Sequence, residues 1–204
     1  MGLPAPLKTA ADMLISLGPQ AFLSPMPVML VGTYDANGKP NIMASAWGGL
    51  CSSQPPCLSV SVRRSTWTYR ALMERQAFTV SLPSREQAGM ADFIGLVSGK
   101  AEDKFAVLGL TAAAGEHVDA PYVAECPVVL ELLLRHTLEL GSHTQFVGEI
   151  MDVKVKKDCL TADGLPDPSR VEALHYAPLL NEYYATGDFV AKAFAVGKTV
   201  KRQN

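Results

Sequence analysis

The sequence predicts a mainly β protein, in which an antiparallel barrel carries a few short inserted helices. Three observations support this fold class. About six or seven strand-like segments follow one another at close spacing. The dipeptide Asn37-Gly38 lies between the first two of them, as in a tight hairpin. Strands and helices do not alternate regularly, so a parallel sheet is not expected.

The N-terminal part of the chain predicts one helix and then two strands. Residues 9–17 have the composition of a short helix that ends at the following Gly-Pro. Residues 26–34 contain a continuous Val-Met-Leu-Val run, which is typical of a strand buried on both faces. The turn at residues 35–40 then leads into a second strand over residues 41–46.

The middle of the chain predicts two further strands and two short helices. The strands are residues 57–62 and 77–82, both rich in β-forming residues. Residues 66–75 are good helix formers preceded by hydroxyl side chains that can cap a helix. Ser84 and Gln87 have the spacing of a capping box, which predicts a helix ending before Gly95.

Two long strands are predicted late in the chain. Leucines alternate with polar residues over 130–140, so Leu138 and Leu140 are expected on one apolar face with the earlier leucines. Residues 144–156 carry the partner pattern. The short step at residues 141–143 indicates that the two strands form a hairpin.

Composition and charge narrow the class of protein. The chain has 204 residues, 48% of them hydrophobic, which suits one sizeable globular domain. Its formal net charge of −2 argues against a dedicated nucleic-acid binder. No apolar run approaches the ~20 residues of a membrane span, so no membrane association is expected. Charged residues make up only 19%, which leaves room for a covered interface in an oligomer.

Cysteine spacing and the common catalytic motifs are informative mainly by exclusion. The four cysteines form no CxxC pair, which argues against a zinc site or a disulfide framework and favours reduced thiols in a cytoplasm. No GxGxxG or GxSxG string is present, and Gly95–Lys100 only approximates a phosphate-binding loop. The histidines have no metal-ligand spacing. We therefore expect no metal and no catalytic acid–base pair.

Three segments next to predicted strands are unusually rich in small polar residues: 38–49 (GKPNIMASAWGG), 60–69 (VSVRRSTWTY) and 98–105 (SGKAEDKF). Together with segments 25–35, 53–63 and 143–150, they make the chain resemble the flavoredoxin branch of the flavin reductase-like family, from about residue 25 to residue 185. The resemblance implies an FMN-binding split β-barrel. It also implies a homodimer with its flavin sites near the subunit interface.

The resemblance implies which residues bind the FMN phosphate. Arg63, Ser65 and Thr68 lie at the start of a predicted helix, whose N-terminus favours anions. Lys104 is the second phosphate-side cation, and Ser98 with its following glycine allows close backbone approach. The alternative for Arg63 is a surface charge at a strand end.

For the flavin ring, the resemblance assigns aromatic contact to Trp47 and an amide contact to Asn41, with backbone groups supplied by Met43, Ala44, Ser45 and Ala46. Taken alone, Trp47 is more typical of a core or interface aromatic residue, and the family motif favours the flavin contact. The same loop continues into Cys51 and Ser52, and Ser52 is a further candidate contact of the cofactor. For Cys51, a redox role and an inert packed thiol are the alternatives.

Four further positions complete the expected cofactor site. Ser81 and Leu82 occupy the family's strand-end position that lines the pocket with backbone groups, although the common asparagine is serine here. His143 is expected near the flavin as a donor or proton relay, or else as a capping histidine. Tyr176, in a coil-like C-terminal segment, is expected over the ring. His136 is expected to be buried or interfacial.

The implied function is electron transfer through bound FMN, with the electrons taken from NAD(P)H or from a redox-protein donor. Two alternatives remain at this point. One is a flavin reductase that uses FMN as a dissociable substrate, and the other is a non-catalytic FMN-binding module. The segment from Ala191 to the C-terminus predicts a short helix and a basic tail without an assigned role.

Overall fold

A computed structural model describes residues 14–199 of the protein. The strands are β1 (Met26–Pro27), β2 (Met29–Tyr34), β3 (Pro40–Ser45), β4 (Gly48–Ser53), β5 (Pro56–Val62), β6 (Ala77–Leu82), β7 (Ala112–Ala114), β8 (Pro121–Val123), β9 (Val128–Leu140), β10 (His143–Val155), β11 (His175–Ala177) and β12 (Glu182–Tyr184). The α-helices are α1 (Trp67–Arg75), α2 (Ala88–Leu96), α3 (Lys104–Leu108) and α4 (Pro168–Val171). Short 3₁₀ turns cover Arg85–Gln87, Lys157–Cys159 and Val196–Thr199.

Seven of the strands form one antiparallel sheet in the order β3-β2-β6-β9-β10-β5-β4. This arrangement confirms the predicted mainly β fold with inserted helices. Strand β3 lies at one end of the order, so the backbone groups on its outer side have no strand partner in this sheet. The pair β11–β12 joins β1 in a small separate sheet.

The predicted hairpin between the first two long strands is confirmed. Strands β2 and β3 pair in register from Met29 opposite Ser45 to Tyr34 opposite Pro40. In the turn, Asp35 Oδ1 accepts hydrogen bonds from the backbone amides of two following residues, at 2.8 and 2.9 Å. These bonds hold the turn in one conformation. Gly38 in this turn has a φ of 79°, in the left-handed region that glycine adopts without the steric cost of a side chain.

The core consists of two main clusters of buried side chains. The first lies inside the barrel and includes Phe78, Leu132 and Phe146, none of which has measurable exposure. The second joins the outer face of the β2–β3 hairpin to helices α2 and α3, through contacts that include Ile42 and Ile94. The second cluster therefore holds these helices against the edge strand β3.

Both helix-start predictions are confirmed. Thr66 caps α1 by accepting a hydrogen bond from the Tyr69 amide at 3.3 Å. The capping box is present, since the Gln87 side chain accepts from the Ser84 amide at 2.9 Å. Helix α2 ends at Leu96, which is two residues later than the predicted end before Gly95. Within residues 14–199, no helix is long and apolar enough to cross a membrane.

The predicted apolar face of the late hairpin is buried only along its first half. Leu138 and Leu140 are 55% and 49% exposed, because β6 pairs with β9 only along residues 128–133 and the rest of β9 extends beyond it. His136, in this second half, is exposed rather than buried. Glu131, by contrast, is completely buried and forms an ion pair with Lys154.

Several predictions of local structure are wrong. Cys51 and Ser52, expected on a loop, lie on strand β4, and the Cys51 thiol is exposed rather than packed. The C-terminal segment expected as coil contains β11 and β12. Residues 14–17, the described end of the predicted helix 9–17, are irregular, and the rest of that prediction lies outside the described residues.

We expect Gly32→Ala to lower the free energy of unfolding by about 1–3 kcal/mol. A Cβ atom at Gly32 would lie 2.0 Å from the Pro121 carbonyl oxygen and 2.4 Å from Thr79 Oγ1, so the packing of β2 must shift. Urea denaturation measures the change. Gly89→Ala is the control, because its Cβ meets open space on helix α2 and should stabilise by roughly 0.5–1 kcal/mol. Equal losses in both variants would contradict the packing around Gly32.

Candidate functional site

Two adjoining clefts lie along the free side of strand β3. The larger cleft, of about 530 Å³, is bordered by β3, the end of β5, the end of α2 and the β11–β12 hairpin. The smaller cleft, of about 250 Å³, lies between β3, the start of α1 and the segment after α2. Both are lined by Met43, Thr66, Gly95 and Leu96, so they form one elongated site.

Aromatic side chains form one wall of the larger cleft. The rings of Trp47 and His143 are nearly parallel, at an angle of 2° with centroids 6.4 Å apart. The ring centroid of Tyr176 lies 6.4 Å from that of Trp47 and 5.9 Å from that of Tyr183. Trp47 remains 38% exposed. The cleft thus presents flat apolar surfaces with one partly open side, which suits a planar ring system.

Hydrogen bonds hold the aromatic wall in place. The Tyr176 hydroxyl donates to Asn181 Oδ1 at 2.6 Å, and the Tyr183 hydroxyl donates to Asp92 Oδ1 at 3.0 Å. Burial beside the Asp92 carboxylate raises the pKa of Tyr183 to about 12. Tyr183 is therefore a neutral donor at physiological pH, and its bond ties the β11–β12 hairpin to helix α2. His143 Nδ1 lies 2.8 Å from Ser142 Oγ.

The floor of the larger cleft is polar along strand β3. Residues 43–46 line it, and no strand within residues 14–199 pairs with the outer side of β3. Backbone amides and carbonyls of such an edge can pair with the hydrogen-bonding edge of a heterocyclic ligand. Arg63, the residue after β5, also lines the larger cleft, and Ser65, two residues later, lines the smaller one.

The smaller cleft contains the N-terminus of helix α1. Ser65 and Thr66 precede the nine-residue helix, and Trp67 and Thr68 form its first turn. First-turn amides have no acceptor within the helix, and together with the helix dipole they favour an anion. Asn41 Nδ2 donates to Thr68 Oγ1 at 3.3 Å, which fixes the amide of Asn41 at the cleft.

Gly99 lies directly against Asn41 at the opposite side of the smaller cleft. A Cβ atom at Gly99 would lie 2.0 Å from Asn41 Oδ1, so only glycine permits this approach. The neighbouring Ser98 Oγ accepts a hydrogen bond from the Lys100 amide at 3.3 Å. These contacts bring backbone of the 98–100 turn close to the side chains that face the helix N-terminus.

Lys104 is the buried cation of the smaller cleft, with 4% of the residue exposed. Its Nζ atom donates to the carbonyl oxygens of Ile42, at 2.9 Å, and Ile94, at 2.7 Å. The side chain therefore joins the end of α2 to strand β3. Burial lowers the pKa of Lys104 to about 8. An ammonium has three N–H groups, so the charged form keeps one for a ligand.

The structure brings most of the sequence-predicted residues to the two clefts. These are Asn41, Met43, Ala44, Ser45, Ala46, Trp47, Arg63, Ser65, Thr68, Ser98, Gly99, Lys104, His143 and Tyr176. It places three others away from both clefts. Ser81 is fully buried and its Oγ accepts from the Val123 amide at 3.2 Å, Leu82 packs on the barrel core, and Ser52 is exposed on β4.

Sequence reasoning missed the site roles of Asp92, Asn181 and Tyr183. Tyr183 stands in the same C-terminal segment as Tyr176, so its aromatic character was an available signal. Nothing in the sequence pairs it with Asp92, which is 91 residues earlier. Such a contact depends on how the β11–β12 hairpin packs on α2.

Comparison with known sequences decides the family. The sequence profile described as "Flavin reductase like domain" matches residues 22–181. The chain belongs to this family. The matched range includes every residue that lines the two clefts except the last, Tyr183.

Solved structures and a curated relative agree with this assignment. The fold is similar to that of a flavoredoxin of Desulfovibrio vulgaris (Miyazaki F), with 56% sequence identity, a TM-score of 0.87, and coverage of 91% of this chain and 100% of that one. A flavoredoxin from Methanosarcina acetivorans is 33% identical, with a TM-score of 0.85 over 91% of this chain and 97% of that one. An uncharacterised protein of Archaeoglobus fulgidus is 34% identical over 137 residues, which are 67% of this chain and 76% of that protein.

We expect the stability of the wild type to rise with pH relative to Lys104→Met between pH 8 and about 10.5. The folded state binds the Lys104 proton more weakly than the unfolded chain does, so raising the pH through the pKa of about 8 removes a cost of folding. A neutral amine keeps two N–H groups, enough for both carbonyl acceptors. Urea denaturation across this range measures the difference.

The control for this experiment is Lys157→Met, at an exposed lysine. Its pH dependence should follow that of the wild type. Parallel pH profiles for the wild type and Lys104→Met would contradict the burial of a weakened ammonium at residue 104.

Proposed function

We propose that the protein is an FMN-binding oxidoreductase of the flavoredoxin type, which transfers electrons through bound FMN. The observation that carries this proposal is the elongated site itself. One end has a helix N-terminus with hydroxyl and cationic side chains, and the other has an aromatic wall beside a free strand edge. A phosphate and an isoalloxazine ring require these two environments. Membership of the flavin reductase-like family and the likeness to flavoredoxin support the same ligand.

The smaller cleft suits the phosphate group. Thr68 and Ser65 supply hydroxyls, the first turn of α1 supplies backbone amides, and Lys104 supplies a buried positive charge. Burying a phosphate dianion is costly unless charge-assisted hydrogen bonds replace its hydration. Gly99 has no side chain that would displace the Asn41 amide, so the backbone of the 98–100 turn and this amide both border the cleft. The residues present therefore fit the group.

The larger cleft suits the flavin ring. Trp47 offers a flat apolar face, Tyr176 and Tyr183 close the adjoining side, and the edge of β3 offers donors and acceptors for the pyrimidine part. A Ser142 hydroxyl that donates to His143 Nδ1 would leave the proton of a neutral imidazole on Nε2, where it makes this residue of the larger cleft a hydrogen-bond donor. Donation toward the ring favours the reduced, more negative state of a flavin.

FMN supplies the redox chemistry when it is bound, and the protein supplies position and electrostatics. Lys104, Arg63 and the α1 N-terminus hold negative charge at one end of the site. The aromatic wall excludes water from part of the ring, while the partly exposed Trp47 side leaves room for a second reactant. We infer that NAD(P)H or a redox protein approaches on this open side, and that a nicotinamide binds there transiently.

We further propose that the protein functions as a homodimer. Residues 135–140 of β9 extend past β6, so one backbone edge of this segment has no strand partner within residues 14–199. Leu138 and Leu140 are exposed on the same segment. The segment leads directly to His143 at the larger cleft, so a second copy that covers these leucines would also border the flavin site.

We expect Arg63→Ala to weaken FMN binding by about tenfold while riboflavin binding changes little, because only FMN carries the phosphate charge. Fluorescence titration of flavin-free protein with each ligand measures both affinities. Arg64→Ala is the matched control, since Arg64 is the next residue and pairs with Glu139 on the surface. Equal weakening of FMN and riboflavin would contradict the assignment of the phosphate end.

The visible absorption spectrum of the purified protein tests the function itself. A flavin spectrum with about one FMN per chain is expected for a tightly bound cofactor. A colourless protein that binds added FMN weakly and oxidises NADH in its presence would instead be a flavin reductase that uses FMN as a substrate. Tight FMN binding without electron transfer to any acceptor would indicate a binding module.

We expect Leu138→Glu to convert the homodimer to a monomer, because it places a carboxylate in the apolar surface that the second copy covers. Sedimentation velocity measures the change. Leu165→Glu is the control, since Leu165 is 63% exposed in a turn away from β9. A wild-type protein that sediments as a monomer would refute the dimer.

A further inference from the structure

The β11–β12 hairpin and helix α2 face each other across the larger cleft. Tyr176, Asn181 and Tyr183 line it from the hairpin, and Asp92 and Leu96 line it from α2. The Tyr183 hydroxyl donates to Asp92 Oδ1 at 3.0 Å, so a hydrogen bond joins the two sides of the cleft. Because both partners line the cleft, this bond lies at its wall.

We propose that the β11–β12 hairpin is a gate for the flavin, and that the Tyr183–Asp92 bond sets the rate at which FMN enters and leaves the site. The inference rests on the proposed function, because it takes the flavin ring to lie in the larger cleft. It goes beyond that function by giving Tyr183 and Asp92 a positioning role. Their bond decides whether FMN stays bound through many turnovers or exchanges with solution.

The base of the hairpin is fixed to the barrel at Leu174, the residue before β11. The Val28 amide donates to the Leu174 carbonyl at 3.0 Å, and the Leu174 amide donates to the Pro83 carbonyl at 2.9 Å. The Leu174 side chain is buried in the second core cluster. This residue is therefore held on both sides, and any movement of the hairpin takes place beyond it.

The far end of the hairpin has much weaker support. Strand β11 pairs with β1 at two positions, and β12, at the end of this small sheet, pairs with β11 at three. In the turn, Leu179 and Asn181 have φ angles of 73° and 57°, in the left-handed region that is costly for a leucine. Leu179 and Leu180 are both exposed. An element with few backbone bonds, a strained turn and little burial opens more readily than the barrel does.

The aromatic side chains of the hairpin are linked to its turn. The Tyr176 hydroxyl donates to Asn181 Oδ1 at 2.6 Å, which connects the ring to the turn. Tyr176 and Tyr183 lie opposite each other in the strand register, with ring centroids 5.9 Å apart. An outward movement of the turn therefore carries both rings away from α2 and widens the ring end of the site.

Access to the ring and release of the whole flavin make different demands on the cleft. A flat reactant can reach one face of a bound ring beside Trp47, which is 38% exposed. Release also withdraws the ring from the edge of β3 and the phosphate from the start of α1, which takes more room. The ring end of the site lies between α2 and the hairpin, so separation of these two elements supplies that room.

The Tyr183–Asp92 bond joins two groups of the protein rather than the protein and its ligand. Its loss therefore destabilises the closed arrangement to a similar degree with and without flavin, and raises the population of the open form in both cases. Since entry and release both require the open form, both rates rise by the same factor and the affinity hardly changes. Loss of a direct ligand contact, in contrast, mainly raises the release rate.

We expect Tyr183→Phe, which keeps the ring and removes the hydroxyl, to raise the association and dissociation rates of FMN by about tenfold each, with a change of less than about threefold in Kd. Stopped-flow flavin fluorescence measures the two rates, on mixing flavin-free protein with FMN and on diluting the complex. Riboflavin should exchange faster by the same factor, because the gate acts on the ring and not on the phosphate. Asp92→Ala should match Tyr183→Phe, whereas Asp92→Asn keeps an acceptor oxygen and should recover most of the wild-type rates.

Tyr184→Phe is the matched control, since Tyr184 is the next residue of β12 and its hydroxyl donates to Glu182 within the same strand. Its exchange rates should equal those of the wild type. The double variant Tyr183→Phe/Asp92→Ala should exchange flavin no faster than either single variant, because both changes remove the same bond.

A rise in the release rate alone, with an equal loss of affinity, would overturn the proposal by making Tyr183 a direct contact of the flavin. Unchanged rates in both Tyr183→Phe and Asp92→Ala would also overturn it, and the flavin would then exchange past Trp47. In either case, tight binding of FMN by the wild type would leave the proposed function intact. A wild-type protein that binds no FMN would instead refute the proposed function, and the gate with it.

Discussion

The buried ammonium of Lys104 connects the elements on which the site depends. It donates to carbonyls of β3 and of the end of α2, two elements that meet only through tertiary packing. A buried amine is costly unless its N–H groups are used, and these two acceptors recover much of that cost. The same bonds set the distance between β3 and α2, and therefore the width of both clefts. The Lys104 side chain thus both joins two elements of the fold and supplies positive charge to the site. Its burial lowers its pKa.

The rest of the site is built from backbone hydrogen-bonding groups that most folds pair or cover. A strand edge and the first turn of a helix both have backbone groups without partners inside their own element. Here β3 and α1 present these groups to the same elongated cleft. A ligand with a heterocyclic edge and a phosphate satisfies both. The aromatic wall, held by the bonds of Tyr183 to Asp92 and of Tyr176 to Asn181, then covers the apolar remainder.

Local sequence signals predicted the local structure well. The Asn37-Gly38 turn, the Thr66 cap and the Ser84–Gln87 capping box are each specified by a few adjacent residues, and all three are present. Strand β4 was missed because its glycines and serines have no alternating pattern, and its formation depends on pairing with β5. Leu138 continues the leucine pattern and is nevertheless exposed, because periodicity predicts which face is apolar, whereas burial depends on how far the neighbouring strand β6 extends.

The sequence by itself determined the fold class, because hydrophobic period and turn chemistry are encoded by near neighbours. Its resemblance to the flavin reductase-like family indicated that family and most residues of the two clefts. Tertiary structure alone decided what those residues do. It buried Lys104 against two carbonyls, removed Ser81 from the site, and joined Tyr183 to Asp92 across 91 residues. Each of these outcomes depends on contacts between segments far apart in the chain, and no local pattern of residues specifies such contacts.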